Sequence, residues 1–225
     1  MTLSKDWTKL AANPDDAFGK KEKALWLKLE PIIGELLDEL KGHGKIETVF
    51  VGAEMDDLEV VIRNQQKCAL NYNRLIHAGT ASAFLDALVP FGFDEYSTAD
   101  LFVQTAILLT ILTSELFRIL LLFHAKGLNS EGTLGSMLHE LRGTEFAPKA
   151  VAKLRQYVGI EFRNALAHGL VGTKAKKIVL YKNCKFEILE IMDLADFMMR
   201  SKTQSVMTQC LVNVIVERKR AGFFH

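Results

Sequence analysis

The sequence is poor in cysteine and proline. Its three cysteines, Cys68, Cys184 and Cys210, are widely spaced and form no CxxC pair. An odd, scattered set of this kind argues against a disulfide framework or a structural zinc site and favours a reducing compartment. With four prolines in 225 residues and no long Ser/Gly tract, the chain has no evident flexible linker. We therefore expect a cytoplasmic protein with a sizeable core.

The sequence also lacks an excess of either charge. It has 28 basic and 27 acidic residues and a net charge of +1. Proteins that hold long stretches of phosphate backbone usually show a stronger basic balance. The composition therefore excludes a protein that wraps nucleic acid around a strongly basic surface, but it is compatible with a local contact to RNA.

Long uncharged runs are missing as well. In the most apolar segment the longest uncharged run is Leu101–Ser114, 14 residues, and Glu115 and Arg118 follow it. A membrane-spanning helix needs about 20 predominantly apolar residues, so this segment is interpreted as a buried core helix. Glu115 and Arg118 are expected to pair with each other or with a partner chain. The charged stretch Met1–Lys9 lacks the apolar core of a secretory signal, and no membrane association is expected.

The common cofactor motifs are absent. The chain contains no HExxH, no GxGxxG and no GxxxxGK[ST] sequence, and His77, His124 and His139 stand alone. Spacing therefore gives no support to a metal enzyme, an ATPase or a dinucleotide enzyme, and no cofactor or metal is predicted.

What is present is mainly helical periodicity. Apolar residues recurring every three to four positions predict helices, with approximate bounds 20–41, 56–79, 97–127, 134–141, 148–168 and 191–219. The period changes to that of strands at Ile178–Tyr181 and Phe186–Glu190, which predicts a hairpin. Lys45–Val51 is β-branched enough for a short strand. The predicted fold class is mainly α, with a small β-hairpin insert before the C-terminal helix.

The helix predicted over 148–168 carries an unusual pair of side chains. At about 100° per residue, Arg163 and His168 lie ~140° apart on the face opposite the apolar stripe, with Ile160 and Ala167 between them. An isoleucine on a face that should be solvated suggests that a second chain or another element packs there. A two-fold dimer would gather two arginines and two histidines in one cleft.

The segment Arg163-Asn164-Ala165-Leu166-Ala167-His168 resembles the Arg, polar residue, three residues, His motif of the HEPN superfamily. The preceding long apolar helix and the following C-terminal helix are similar too. The resemblance covers about residues 97–219, which predicts a HEPN-like helical domain over 96–225. Residues 1–95 form an unassigned, mostly helical N-terminal region, either separate or packed on the same core.

The resemblance implies a function. Typical active members are metal-independent endoribonucleases that work as homodimers with a composite site, often as toxins of toxin–antitoxin systems or as antiphage defence effectors. The expected partners are an RNA substrate, a second copy of the chain, and an antitoxin or regulatory protein. The expected catalytic residues are Arg163 on the scissile phosphate, His168 as a proton-transfer group and Asn164 as an orienting residue.

Two other interpretations remain open. The chain could be a catalytically inactive HEPN module that binds nucleotides or serves as a scaffold, or a helical interaction protein whose motif arose by chance. Tyr157 and Glu161 could line a cleft or simply pack at the surface. The basic run Lys174–Lys177 could be a solvated face or could contact RNA phosphates.

Overall fold

The computed structural model describes residues 10–48, 58–64, 66–67, 98–174, 177–182 and 186–224. In the described part, helices predominate, and a three-stranded antiparallel sheet is also present. This secondary structure confirms the prediction of a mainly α fold class. The helices are α1 (Pro14–Ala17), α2 (Lys20–Gly42), α3 (Thr98–His124), α4 (Leu134–Leu141), α5 (Pro148–Val158), α6 (Ile160–Ala167) and α7 (Leu194–Arg220). The strands are β1 (Val171–Lys174), β2 (Lys177–Tyr181) and β3 (Ile188–Met192).

Most predicted helices are confirmed within a few residues. α2, α3, α4 and α7 match the helices predicted over 20–41, 97–127, 134–141 and 191–219. Residues 191–192, however, belong to β3 and not to the C-terminal helix. Of the helix predicted over 56–79, residues 58–64 and 66–67 are helical, and the remainder lies outside the described residues.

The single helix predicted over 148–168 is wrong. Gly159 interrupts it with a left-handed backbone, at φ 56° and ψ 49°, so that α5 ends at Val158 and α6 begins at Ile160. The amide of Gln204 donates to the carbonyl of Val158 and, at 3.4 Å, to that of Tyr157. This buried side chain therefore satisfies carbonyls that the end of α5 leaves without helical partners.

The predicted hairpin is confirmed and is part of a larger sheet. β2 pairs antiparallel with β3, with Ile178 opposite Met192. It also pairs with β1, a strand that the sequence analysis missed, with Val171 opposite Leu180. At Lys45–Val51, Ile46 forms one isolated bridge with Ala125, and residues 49–51 lie outside the described residues.

The chain folds as two compact units, each built from separate stretches. Unit 1 comprises Met1–Arg63, Thr113–Ile160 and Thr203–His225, and unit 2 comprises Asn64–Leu112 and Glu161–Lys202. Residues 10–48 thus share a core with later helices, the alternative that the sequence left open for the N-terminal region. The boundary predicted at 95/96 itself lies outside the described residues.

The core of unit 1 forms where α2 meets the other helices of the unit. Positions three and four apart on α2 are fully buried, as expected for one face of an amphipathic helix, and they are Trp26, Leu29, Ile33, Leu36, Leu37 and Leu40. α2 packs against α5. The Glu39 carboxylate of α2 accepts from the backbone N–H groups of Lys149 (3.2 Å) and Ala150 (3.3 Å). It supplies the N-terminal cap that Ala147, having no polar side chain, cannot.

The N-terminal segment is held in unit 1 by two amide side chains of α7. The N–H of Ala12 donates to Oδ1 of Asn213 at 3.0 Å, and Nδ2 of Asn213 donates back to the Ala12 carbonyl at 2.6 Å. Nε2 of Gln209 donates to the carbonyl of Leu10 at 2.9 Å. Both amides are buried, so the segment satisfies polar groups that water cannot reach.

Val103–His124 has the length and hydropathy of a helix that could cross a membrane, with a mean hydropathy of 2.1. Half of this segment is nevertheless buried inside the protein. The predicted pairing within it is confirmed, since Nε of Arg118 lies 2.8 Å from Oε2 of Glu115. Nη1 of Arg118 also donates to the carbonyls of Ser130 and Gly132, at 3.1 and 3.2 Å. The ion pair thus ties this helix to the connector before α4.

His124 ends α3 as a buried side chain. Its Nδ1–H donates to the carbonyl of Leu120 at 2.7 Å, and its ring lies against those of Phe123 and Phe224. Burial lowers the pKa of His124 to about 4, and Lys219 adds to the lowering, while the bond to Leu120 opposes it. The imidazole is therefore neutral in the folded protein near pH 7.

We expect acid to destabilise the protein through His124. Since its pKa is about 6.5 in the unfolded chain and about 4 in the folded protein, the unfolded state binds more protons between these values, and stability falls as pH falls through this window. From pH 8 to pH 5 the loss should be about 2 kcal/mol in the free energy of unfolding. Urea denaturation of the wild type and of His124→Phe across this range tests it. Both proteins carry the same carboxylates, so equal pH dependence in the two would contradict the assignment.

Candidate functional site

The motif residues belong to unit 2, where the apolar face of α6 packs into a small core. Phe162, Ala165 and Leu166 are buried on this face. The ring of Phe162 meets that of Phe197 edge to face, with centroids 5.6 Å apart. The rest of this core comes from α3, the sheet and α7, and its other buried members are Val103, Ala106, Leu109, Ile178, Leu180 and Met192.

α6 ends in a glycine-dependent cap directly after the motif. Gly169 adopts a φ of +67°, the N–H of Leu170 donates to the carbonyl of Ala165 at 2.8 Å, and the N–H of Gly169 donates to that of Leu166 at 3.1 Å. These two bonds define a Schellman motif, in which a left-handed residue reverses the chain and satisfies the last helical carbonyls. The side chain of Leu170 packs on the unit 2 core beside Ala165. His168 is consequently fixed as the last residue before the turn.

The three predicted site residues lie at the surface end of α6. Asn164 and His168 are exposed and Arg163 is half-buried. Nη1 of Arg163 donates to Oδ1 of Asn164 at 3.4 Å, so the structure brings these two side chains together. The backbone N–H of His168 donates to the carbonyl of Asn164 at 3.0 Å, which places the histidine one turn further along. None of the residues that the structure describes forms a hydrogen bond with the His168 imidazole.

This arrangement presents a cation and a proton-transfer group to solvent from one rigid helix end. A guanidinium can bind a phosphate through two parallel hydrogen bonds, and an exposed imidazole can give or take a proton near neutral pH. Transfer of a phosphodiester to a neighbouring hydroxyl needs both a base and an acid. One copy of the motif supplies one imidazole, and so half of that requirement.

Of the two alternatives for the cover of Ile160, a second chain or another element of the same chain, the structure agrees with the second. Ile160 is half-buried and packs on the core of unit 1, where its Cγ2 lies 3.5 Å from the position that a Cβ on Gly135 would occupy. Ile160 therefore offers no exposed apolar surface for a dimer seam. Ala167 is exposed as predicted. A dimer therefore has to be argued from the chemistry and not from an apolar seam.

Tyr157 and Glu161 are the two residues near the motif that the sequence analysis left as either cleft or surface residues. Tyr157 is half-buried and packs on the core of unit 1, in line with the surface-packing alternative. Glu161 is exposed on the first turn of α6. Their role as cleft residues stays a hypothesis.

Sequence reasoning missed Arg200 of α7, which braces the motif helix from its buried side. Its guanidinium grips the carboxylate of Glu190 on β3 through two bonds of 2.6 and 2.8 Å. It also lies over the ring of Phe162, 5.6 Å from the centroid. Arg200 thus joins β3 and α7 to the residue preceding Arg163. The ten-residue separation of Glu190 and Arg200 crosses from a strand into a helix, where no simple period would pair them.

A groove of unit 1 lined by α2, α5 and α7 is acidic and contains no motif residue. Five carboxylates line it against two basic residues, and the lining charges are Glu30, Glu35, Asp38, Glu39, Glu217, Lys149 and Arg218. Arg218 is bound to Asp38 at 2.7 Å. Such a groove repels phosphate. Among the described residues, no group of three His, Cys, Asp or Glu side chains is placed to hold a metal ion.

Comparison of the chain with protein-family models, with curated proteins and with solved structures finds no match. The resemblance to the HEPN superfamily therefore depends on the six motif residues and on their place at the end of a helix.

Replacing Gly169 by alanine should destabilise the protein by about 1–2 kcal/mol, because a Cβ disfavours the left-handed backbone. Apart from its neighbours in the chain, none of the described residues has an atom within 4 Å of the position of that Cβ, so the cost is conformational and not steric. Gly169→Asn should cost less, since asparagine tolerates this conformation. Urea denaturation measures both.

Gly172→Ala is the matched control for this prediction. Gly172 lies in β1, and its new Cβ would meet Cε2 of Tyr181 at an ordinary 3.8 Å. Its stability should stay close to that of the wild type. Equal losses at positions 169 and 172 would show that the cap does not depend on the glycine.

Proposed function

We propose that the protein is a metal-independent endoribonuclease of the HEPN type that acts as a homodimer. The observation that carries the proposal is the placement of Arg163, Asn164 and His168. All three project from one capped helix end, with the guanidinium tied to the asparagine and the imidazole exposed one turn away.

In the proposed reaction, Arg163 binds the scissile phosphate. Its planar fork matches two phosphate oxygens and stabilises the negative charge that builds up as the ribose 2′-oxygen attacks phosphorus. Oδ1 of Asn164 accepts one guanidinium hydrogen bond and so sets the direction of the fork.

His168 handles the protons. The 2′-hydroxyl loses a proton as its oxygen bonds to phosphorus, and the departing 5′-oxygen gains one as its bond to phosphorus breaks. One imidazole cannot be base and acid at the same moment. The histidine of a second copy therefore takes the opposite role, and the products are a 2′,3′-cyclic phosphate and a 5′-hydroxyl end.

We further propose a cytoplasmic toxin or antiphage effector as the biological setting. Such an enzyme must be silent until needed, so an antitoxin or a regulatory protein is the implied partner.

Cleavage of total RNA and of tRNA, in the presence of a chelator, tests the chemistry. Arg163→Ala and His168→Ala should each lower the rate by about 10²–10⁴-fold, the usual contribution of a proton-transfer group or of a charge that stabilises the transition state. Arg163→Lys should fail to restore it, since lysine lacks the planar fork. The fragment ends should carry 2′,3′-cyclic phosphate and 5′-hydroxyl groups.

Matched controls are Arg155→Ala and His139→Ala, which remove an exposed arginine and an exposed histidine of unit 1. Both should cut at the wild-type rate. Undiminished cleavage by the Arg163→Ala/His168→Ala double variant would sink the proposal. RNA binding with no cleavage by the wild type would favour the inactive, nucleotide-binding module.

Co-expression of the wild type with an excess of His168→Ala tests the composite site. A mixed dimer retains one histidine, whereas the proposed reaction uses two, one as base and one as acid. Activity should therefore fall well below the fraction of wild-type chains in the mixture. Activity in proportion to that fraction would show that each chain works by itself.

A further inference from the structure

The sheet of unit 2 has one face on the core and another that carries exposed side chains. Side chains alternate along a strand, and on β2 Ile178 and Leu180 point into the unit 2 core. Lys177 and Tyr181 therefore lie on the opposite face. Ile191 of β3, opposite Val179, shares that face and is 56% exposed.

One end of this face concentrates positive charge. Lys174 of β1 and Lys177 of β2 are direct cross-strand partners, and both are exposed. Like charges directly opposite each other on a sheet are destabilising. Within the described part of the chain, neither ammonium group has a carboxylate partner to offset the repulsion. An anion bound between them would do so.

The other end carries an exposed aromatic side chain. The ring of Phe186 stands edge to face against that of Tyr181, with centroids 5.6 Å apart, and Phe186 is 64% exposed. Its φ of 57° is left-handed, which a phenylalanine adopts only at a conformational cost. Holding this ring in solvent therefore costs free energy in two ways, through the exposure of an apolar side chain and through the strain of a left-handed backbone.

We propose that this face, from the Lys174–Lys177 pair to Phe186, is the docking surface for single-stranded RNA. The inference rests on the proposed function, for which it supplies the substrate contact. Phosphate lies on the lysine pair and a base stacks on Phe186, the combination by which proteins hold single strands without reading their sequence. Lys177 and Tyr181 are four residues apart, about 13 Å along the strand, so both contacts fit one short stretch of RNA.

The positive charge of the lysine pair favours RNA over an apolar protein as the partner of this face. The isoleucines of β3 alone would be compatible with RNA or with a protein. A protein surface that covered them would also bury the lysine pair, and burying two like charges is costly unless they are neutralised. The nearby carboxylate of Glu190 is engaged by Arg200 and does not offset the charge of the lysine pair.

Fluorescence anisotropy with a labelled, uncleavable 2′-O-methyl RNA 12-mer tests the proposal on the full-length protein. Lys174→Gln/Lys177→Gln should weaken binding and flatten the slope of log K against log salt by about 0.7, the contribution of the one phosphate that the pair holds on a single strand. Phe186→Ala and Phe186→Leu should weaken binding about 5- to 150-fold, the range for loss of one stacked base. Phe186→Tyr keeps a ring and should bind like the wild type.

Lys20→Gln/Lys21→Gln and Leu27→Ala are the controls, removing exposed lysines and an exposed apolar side chain from α2. Both should bind like the wild type. Unchanged binding in the sheet variants would overturn the proposal, as would wild-type binding by Phe186→Leu. A change in oligomer mass without a change in RNA binding would make the face a protein interface and overturn it too.

Because the RNA probe cannot be cut, these results are independent of catalysis. If the nuclease proposal alone is wrong, the sheet variants still lose affinity while cleavage is absent or insensitive to His168. If the docking surface alone is wrong, His168→Ala abolishes cleavage while the sheet variants bind and cut normally.

Discussion

The eight residues of α6 cannot form a helix on their own, because isolated helices shorter than about 12 residues are marginal in water. The helix exists because Phe162, Ala165 and Leu166 are buried in the core of unit 2. That burial fixes which side of the helix faces out, and so it decides that Arg163, Asn164 and His168 emerge together. A change that loosens the buried side would disperse the exposed one. The orientation of the site therefore depends on how the opposite face of the helix packs.

Two left-handed glycines set the limits of this helix. Gly159 separates it from α5, and Gly169 turns the chain towards β1. Without the first, the apolar stripe of α5 would fix the rotation of the motif. Without the second, the helix would run on past His168. The segment between them is short, so its direction depends on side-chain contacts such as that of Arg200 over Phe162.

Periodicity was enough to locate most of the helices. The stripe on α2 is regular, and Gly42 falls at its end, so the prediction and the structure agree closely. It failed at Gly159 because Val151, Leu154, Val158, Phe162 and Ala165 keep helical spacing across the break, and all five are buried. One residue with a left-handed backbone leaves no trace in such a pattern. β1 was missed because VGTK is short and only its first residue packs on the core.

The candidate site was likewise predicted from the sequence only in part. In the structure His168 is exposed and Arg163 half-buried, and that the two share a helix end follows from the sequence. The brace between Glu190 and Arg200 and the lysine pair of β1 and β2 do not, since both depend on strand register, which a single sequence specifies weakly at short strands. The sequence left open whether a second chain or another element covers Ile160, because helical spacing shows on which face a residue lies and not what packs there. In the structure Ile160 packs on the core of unit 1.

The two amides that hold residues 10–12 make this segment part of the interior of unit 1. Asn213 binds both backbone groups of Ala12 as a neighbouring strand would, and Gln209 binds Leu10. Trimming the chain beyond Leu10 would strip these carboxamides of their partners inside a buried helix face, where each orphaned group costs about 1–3 kcal/mol. A tag or a cleavage site should accordingly be placed before this segment and should not replace it. Proteolysis within the segment would destabilise the packed helices of unit 1.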